Sequence, residues 1–332
     1  MDFSGLARPA AELLDGVMDR ALIVGYTKIG SGLRRRWWAA DAGPRALLGK
    51  RVLITGATAG IGLAMARSFA GLGATVHLLG RNPEKVDDSC AAMRESVAAA
   101  HVVAEVCDVS DLDAVRAWTA DFANRVPALN GLVHNAGLMP KDRVLTRQGH
   151  EMQLATHVLG PHLMTERLMP LLRAAGGASV VWVSSGGMYG SPLVVDDLEC
   201  RRAYNGVRAY ARTKKMQVVL ADSWSRRLAG TDIRVESMHP GWVDTPGVAE
   251  SLPRFRAVTR PLLRDVADGA DTAVWLVATR PESKPGHFWH DRSQRPTTFG
   301  WQRHENPAKV RRLLEQVSRL TGTSEAWPGL RG

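Results

Sequence analysis

Tyr210 and Lys214 stand four residues apart in the stretch AYARTKKMQVVLADSW, residues 209–224. On a helix that offset sets an ammonium beside a phenol on one face. A free phenol keeps its proton to about pH 10, so unaided it is a poor donor at neutral pH. A neighbouring cation favours phenolate, and a fall from about 10 toward 7 corresponds to roughly 4 kcal/mol. Such a pair can donate a proton to a carbonyl oxygen or take one from an alcohol. Tyr204 has Arg208 at the same offset, but only Tyr210 leads into a helical apolar stripe, Met216, Val219, Leu220, Trp224 and Leu228. Upstream, VVWVSSGGMYG ends an apolar run at Ser184 and Ser185. A hydroxyl there can stabilise charge developing on a substrate oxygen, or can simply shape a turn.

Elements that would position these groups follow from the apolar pattern. KRVLITG and ATVHLLGR read as buried strands, with the glycine-terminated helix GLAMARSFAGLG between them. SVVWVSS and IRVESMHPG read as further buried strands. Strands alternating with helices, and apolar throughout rather than on one side, predict a parallel sheet covered on both faces. The fold expected is α/β, a Rossmann-type doubly wound sheet in a single domain, with a helical leader before it and an extension after it. The first strand runs into TGATAGIG, residues 55–62, whose glycines 56, 60 and 62 let backbone approach a pyrophosphate at a helix N-terminus.

That turn has the spacing T-G-x-x-x-G-x-G, and with the motifs that follow in order it resembles the short-chain dehydrogenase/reductase family from Lys50 to about Asp291. The resemblance implies an oxidoreductase acting on CH–OH groups with NAD(P). It assigns cofactor contacts to Thr55, Gly56, Thr58, Gly60, Ile61 and Gly62. It extends them to Asp108 and Val109 in CDVSD, and to Asn135, Ala136 and Gly137 in HNAG. In HPGWVDT it adds Pro240, Gly241, Val243 and Thr245 around the nicotinamide. It makes Ser185 and Tyr210 catalytic, and gives Lys214 a second task on the nicotinamide ribose. The family's fourth catalytic position, usually an asparagine that holds a relay water, is His157 here; the expectation is that the imidazole substitutes. The second strand ends in Gly80 and Arg81, where an acidic residue would mark NAD. An arginine suits a 2′-phosphate, so NADP(H) is expected over NAD(H). The long stretch between Ser185 and Tyr210 resembles the retinol-dehydrogenase-like branch and implies lipophilic carbonyl or alcohol substrates, such as retinoids, steroids or lipid-like ketones.

Bulk properties bound the alternatives. The chain has 332 residues, is 45% hydrophobic and carries a net charge of +10. Phosphorylated ligands and anionic surfaces would both suit that charge. No nucleic-acid-binding signature accompanies it, so no nucleic-acid partner is expected. Cys90, Cys107 and Cys200 are odd in number and lack metal-ligand spacing, which predicts no metal site, no disulfide framework and a cytoplasmic setting. Residues 1–49 form a basic amphipathic leader whose apolar run is too short to span a bilayer. With Arg34, Arg35 and Arg36 beside Trp37 and Trp38, it reads either as a peripheral membrane contact or as a helix packed on the domain or on a second copy. The domain is expected over 50–291, a lid at about 246–265, and a basic extension over 292–332 with a helix in NPAKVRRLLEQVSRL. A homo-oligomer fits the family, and a dinucleotide-binding scaffold with little turnover is the competing function.

Overall fold

The computed structural model describes residues 22–97, 100–284, 286–299 and 305–324, together with Asp15 and Met18. Most of the leader before residue 22 and the Trp-Pro-Gly tail lie outside the described residues. Strands β1 (Arg51–Thr55), β2 (Thr75–Gly80), β3 (His101–Val106), β4 (Gly131–His134), β5 (Ala178–Val183), β6 (Ile233–Met238), β7 (His287–His290) and β8 (Ser293–Pro296) form one sheet. Its order is β3-β2-β1-β4-β5-β6-β7-β8, parallel except for the β7–β8 hairpin. Chain direction reverses its walk between β1 and β4, which creates the crevice where doubly wound sheets bind ligands.

Alternation along single strands explains the two layers. Val52 and Ile54 face one core, and Leu53 faces the other. Likewise Val180 and Trp182 join the first-named strand's Leu53 layer while Val181 and Val183 join the opposite one. Each fully buried aliphatic chain contributes about 1.5–3 kcal/mol, so a sheet apolar on both faces is stable only when covered twice.

The helices that cover it, in chain order, begin with α1 (Leu22–Tyr26) and α2 (Lys28–Arg34) of the leader. They continue with α3 (Gly60–Gly71), α4 (Pro83–Ser96), α5 (Leu112–Arg125), the short α6 (Met152–Leu154) and α7 (Gly160–Ala174). Last come α8 (Gly206–Arg227), α9 (Pro246–Ser251), α10 (Pro253–Thr259), α11 (Val266–Thr279) and α12 (Pro307–Thr321). Between α6 and α7 the helix takes one π turn, Ala155–Leu159. The stripe expected on α8 is buried as Met216, Val219, Leu220 and Trp224, with Leu228 at its end.

The segments outside the expected domain are built into it. Residues 22–38 lie on the sheet end: Arg34 is buried, and Trp38 is flanked by the guanidiniums of Arg35 (5.3 Å) and Arg292 (4.4 Å). Arg34 and Trp38 are therefore packed on the domain, and Arg35 and Arg36 are exposed. The boundary expected at 291 falls in the turn of the β7–β8 hairpin, so the extension supplies the eighth strand. α12 buries Leu313, Leu314 and Val317 in the Leu53 layer, and Lys215 reaches out to the extension at the Thr297 carbonyl and Glu305. Among the described residues no helix is long and apolar enough to cross a membrane, and no group of residues has the makings of a metal site. All three cysteines are free and buried.

Candidate active site

The carboxyl ends of β1 to β6 converge on the crevice, and the candidate residues are their continuations. β1 ends at Thr55, whose oxygen accepts from the Asn135 and Ala136 amides at 3.0 Å each. Asn135 Nδ2 returns the tie by donating to the carbonyls of Thr55 and Gly56. This lattice leaves no room at Gly62, where a Cβ would lie 2.3 Å from the Gly56 oxygen and 2.6 Å from Asn135 Nδ2. Gly56 has φ 65° and packs its backbone on Ala136, so it too must be glycine. α3 then starts at Ala59 with no side-chain cap, whereas α4, α5 and α8 are capped by Asn82, Asp111 and Asn205. The first amides of α3 are left for a ligand, as a pyrophosphate at a helix N-terminus requires. Ile61 and Thr58 flank that opening, both half-buried.

At the end of β2, Gly80 is pressed under Thr58 and Val86: a Cβ would meet their methyls at 2.8 and 2.7 Å. A carboxylate side chain at this position is sterically excluded. Arg81 is exposed and makes no hydrogen bond or ion pair among the described residues. Asp108 follows β3 and is tied by one oxygen to the amide and hydroxyl of Ser110. Val109 is buried, its carbonyl pressed so close to Gly160 that a Cβ there would clash at 1.9 Å.

The chemical centre joins β5 to α8. Ser185 Oγ accepts from the Gly187 amide at 3.1 Å, and its hydroxyl lies close enough to the Tyr210 phenol to lower its pKa. Ser184 is turned inward and donates to the Lys214 carbonyl, which ties β5 to α8 rather than shaping a turn. Lys214 Nζ lies 5.4 Å from the Tyr210 ring centre, so the four-residue spacing sets the ammonium beside the phenol. Its charge does not set the phenol as expected, however. Burial pushes the Tyr210 phenol up from its ordinary value, and the Ser185 hydrogen bond pulls it partly back. Burial also lowers Lys214 to about 7, while Nζ donates to the Val183 carbonyl at 2.9 Å. Desolvation outweighs the cation at this geometry.

His157 occupies the π turn, a distortion often found where a helix serves a site. Its Nε2 accepts from the Leu138 amide at 3.1 Å, which leaves the proton on Nδ1 to be donated to Thr213 Oγ1 at 2.8 Å. Thr213 in turn donates a hydrogen bond to the Tyr210 carbonyl at 3.0 Å. The imidazole is fully buried and held neutral, well below its usual range, by burial and by the Lys214 charge. Both ring nitrogens are thus spent on bridging the loop after β4 to α8, one residue from Gly137 and one from Lys214. Gln217, which the motifs did not single out, holds the His157 carbonyl at 2.9 Å. His157→Asn is too short to span both partners and is expected to cost about 1–3 kcal/mol of stability. Urea unfolding of the two proteins checks this.

After β6 the chain forms the loop of Pro240, Gly241, Val243 and Thr245. Thr245 caps α9 through the Val248 amide at 3.2 Å, and its methyl lies about where a Gly60 Cβ would touch it, at 3.5 Å. The start of the expected lid is therefore in contact with the phosphate turn. α9 and α10 bury no residue, and Arg256 pairs with Asp244 across their base. Tyr26 and Arg264, also unforeseen, support the loop from behind: the Trp242 amide donates to the Tyr26 carbonyl at 2.7 Å and the Arg264 amide to the Trp242 carbonyl at 2.8 Å. Neither has a motif around it, because their partners are brought together only by the folded chain.

Residues 50–254 match the family model described as short chain dehydrogenase. Dehydrogenase/reductase SDR family member 12 of Bos taurus is 36% identical over 299 residues, covering 89% of this chain and 93% of the relative. Retinol dehydrogenase 12 of Homo sapiens is 31% identical over 248 residues, covering 74% and 78%. A crystal structure of a protein from Mycobacterium paratuberculosis superposes with a TM-score of 0.65 at 27% identity, covering 87% of this chain and 99% of that one. With a glycine turn at the sheet crevice and a Ser-Tyr-Lys group beside it, the chain belongs to the short chain dehydrogenase family, oxidoreductases that act on CH–OH groups with NAD(P).

Proposed function

We propose that the protein is an NADP(H)-dependent oxidoreductase of lipophilic carbonyls and alcohols, with Tyr210 as its acid and base. The observation that carries this is the placing of Ser185 and Tyr210 beside each other at the mouth of β5, with Lys214 Nζ 5.4 Å from the phenol ring. The cradle fits a dinucleotide: Gly56 and Gly62 admit no side chain, and the α3 amides are uncapped. Thr55, Gly56, Thr58, Gly60, Ile61 and Gly62 would hold the pyrophosphate end, and Asp108 and Val109 the adenine. Asn135, Ala136, Gly137, Pro240, Gly241, Val243 and Thr245 would line the nicotinamide end, with Lys214 on its ribose. Bound there, the reduced nicotinamide supplies hydride to a carbonyl carbon. Tyr210 gives its proton to the carbonyl oxygen, which becomes the alcohol hydroxyl, and Ser185 donates a hydrogen bond to that oxygen as charge grows on it. In the opposite direction the same phenol receives the alcohol proton.

NADP(H) over NAD(H) is supported by the excluded side chain at Gly80 and the free guanidinium of Arg81. Arg81→Ala is expected to weaken NADPH binding by about 10–100-fold, the worth of a charge-assisted contact, and to leave NADH nearly unchanged. Fluorescence titration with both nucleotides measures it, and equal losses for the two would reject the assignment. A lipophilic substrate is supported by exposed Val144, Leu145, Val207 and Val258, on the loop after β4, the first turn of α8 and the lid. Relatives named retinol dehydrogenase point the same way. The deciding experiment is turnover of a panel of retinal, steroid ketones and aliphatic aldehydes by purified protein, with the bound nucleotide identified by mass. A second reading, a nucleotide-binding scaffold with little turnover, is favoured by His157, whose ring nitrogens are both committed. Tight NADPH binding with no turnover across the panel would select it.

A further inference from the structure

We infer that Tyr26 is a positioning residue of the active site, and that residues 22–38 belong to its framework. The ring of Tyr26, 2% exposed, lies where a side chain on Gly186 would be: a Cβ there would stand 2.4 Å from Cε2. Gly186 directly follows Ser185. On its other sides the ring meets His239 edge-on at 4.4 Å, His290 at 5.1 Å and Trp242 at 6.2 Å between centres. One aromatic side chain thus touches both the backbone beside Ser185 and the loop that begins at His239. The Tyr26 carbonyl takes the Trp242 amide and Arg264 Nε, and a Cβ at Gly241, where φ is 79°, would lie 2.8 Å from it.

The placement of Tyr26 is enforced by charge. Arg34 and Arg264, each 1% exposed, both donate to the Gly25 carbonyl at 2.9 Å, and both bind Asp291, in the turn of the β7–β8 hairpin. Arg34 also pairs with Asp15 at 2.6 Å, and Asp15 with Arg295 at 2.6 Å. Leader, loop, lid base and hairpin are therefore joined by buried ion pairs, which are strongly unfavourable to break one partner at a time. The assignment rests on the roles proposed for Ser185 and for the loop over 239–245.

The test uses the full chain with Tyr26→Phe, Tyr26→Leu, Gly186→Ala and the double variant Gly186→Ala/Tyr26→Leu. Hydrogen exchange of peptides spanning 184–190 and 239–245 is read beside NADPH and NADH affinity. Tyr26→Phe keeps the ring and should match the parent. Tyr26→Leu is expected to speed exchange in both peptides by about tenfold or more, with residues 75–97 unaffected. Gly186→Ala should loosen the distant 239–245 peptide as well as its own, and the double variant should lose less than the two singles combined. Should Tyr26→Leu fail to fold, Gly186→Ala reports on the same contact from the other side. Unchanged exchange over 239–245 in both single variants, or losses that simply add, overturns the inference. Loosened peptides with unaltered dinucleotide affinity sustain the coupling and fail the cofactor role proposed for the loop.

Discussion

Tyr210→Phe is expected to lower kcat by about 10²–10⁴-fold, the contribution of a positioned general acid. The substitution removes one oxygen and keeps the ring, which packs edge-on against His157 at 5.6 Å and over Lys214 at 5.4 Å. Folding and nucleotide affinity should therefore survive, and the loss should fall on kcat rather than on binding. The pH profile adds an independent check. Packing raises the phenol, so Tyr210 stays protonated through neutral pH and remains a donor for carbonyl reduction. Lys214, lowered by burial to about 7, carries its charge below that pH and loses it above. Charge on Lys214 favours transfer of the phenol proton, so reduction should be fastest below about pH 7 and decline as pH climbs past it. Alcohol oxidation should instead gain with pH. A Tyr210→Phe enzyme within about tenfold of the parent on the same carbonyl would remove the phenol from the mechanism.

Local chemistry was legible in the sequence, and compensation across the fold was not. The apolar runs of β1, β2, β5 and β6 announce themselves because strands buried on both faces need no polar alternation. The glycine turn is equally plain, since Gly56 and Gly62 have no side-chain alternative at their contacts. β8 is short, polar and only partly buried, a strand only through its pairing with β7, so nothing in SQRP separates it from loop. Helical spacing correctly brings Lys214 near Tyr210, but the sign of the phenol shift depends on burial, which spacing does not carry. His157 was found through its position in the family motif. That its nitrogens are spent on Leu138 and Thr213, 19 and 56 residues away, emerges only in three dimensions. The leader is the clearest case: RRRWW looks like a surface feature until Asp291, 257 residues on, is seen to take Arg34 into the interior.

Stability is expected to collapse on mild acidification, with the unfolding transition between about pH 5 and 6 rather than below 4. Five buried histidines are held neutral: His134 and His162 are lowered to about 3, and His157, His239 and His290 well below their usual range, each chiefly by burial. His239 and His290 stack at 3.8 Å beside Arg34, Arg264 and Arg295, whose charges add to burial in lowering both rings, while Asp291 offsets part of this at His239. The sign follows from proton uptake. Above about pH 6.5 these histidines are neutral in both states and cost nothing; below it the unfolded chain binds protons that the folded chain refuses. Stability is then lost as pH falls, by about 1.4 kcal/mol per histidine per pH unit, until the folded values are reached. Five such groups acting together remove roughly 7 kcal/mol per unit, comparable to the whole stability of a typical domain. Glu151 and Glu236, raised by burial, oppose this by taking protons in the folded state, but they are two against five. Urea unfolding at pH 7.5, 6.5 and 5.5 measures the slope, and His162→Gln, which removes one titrating ring, should make it shallower by one proton. Stability that stays level from pH 7 to 5 would mean that these rings accept protons without leaving the core.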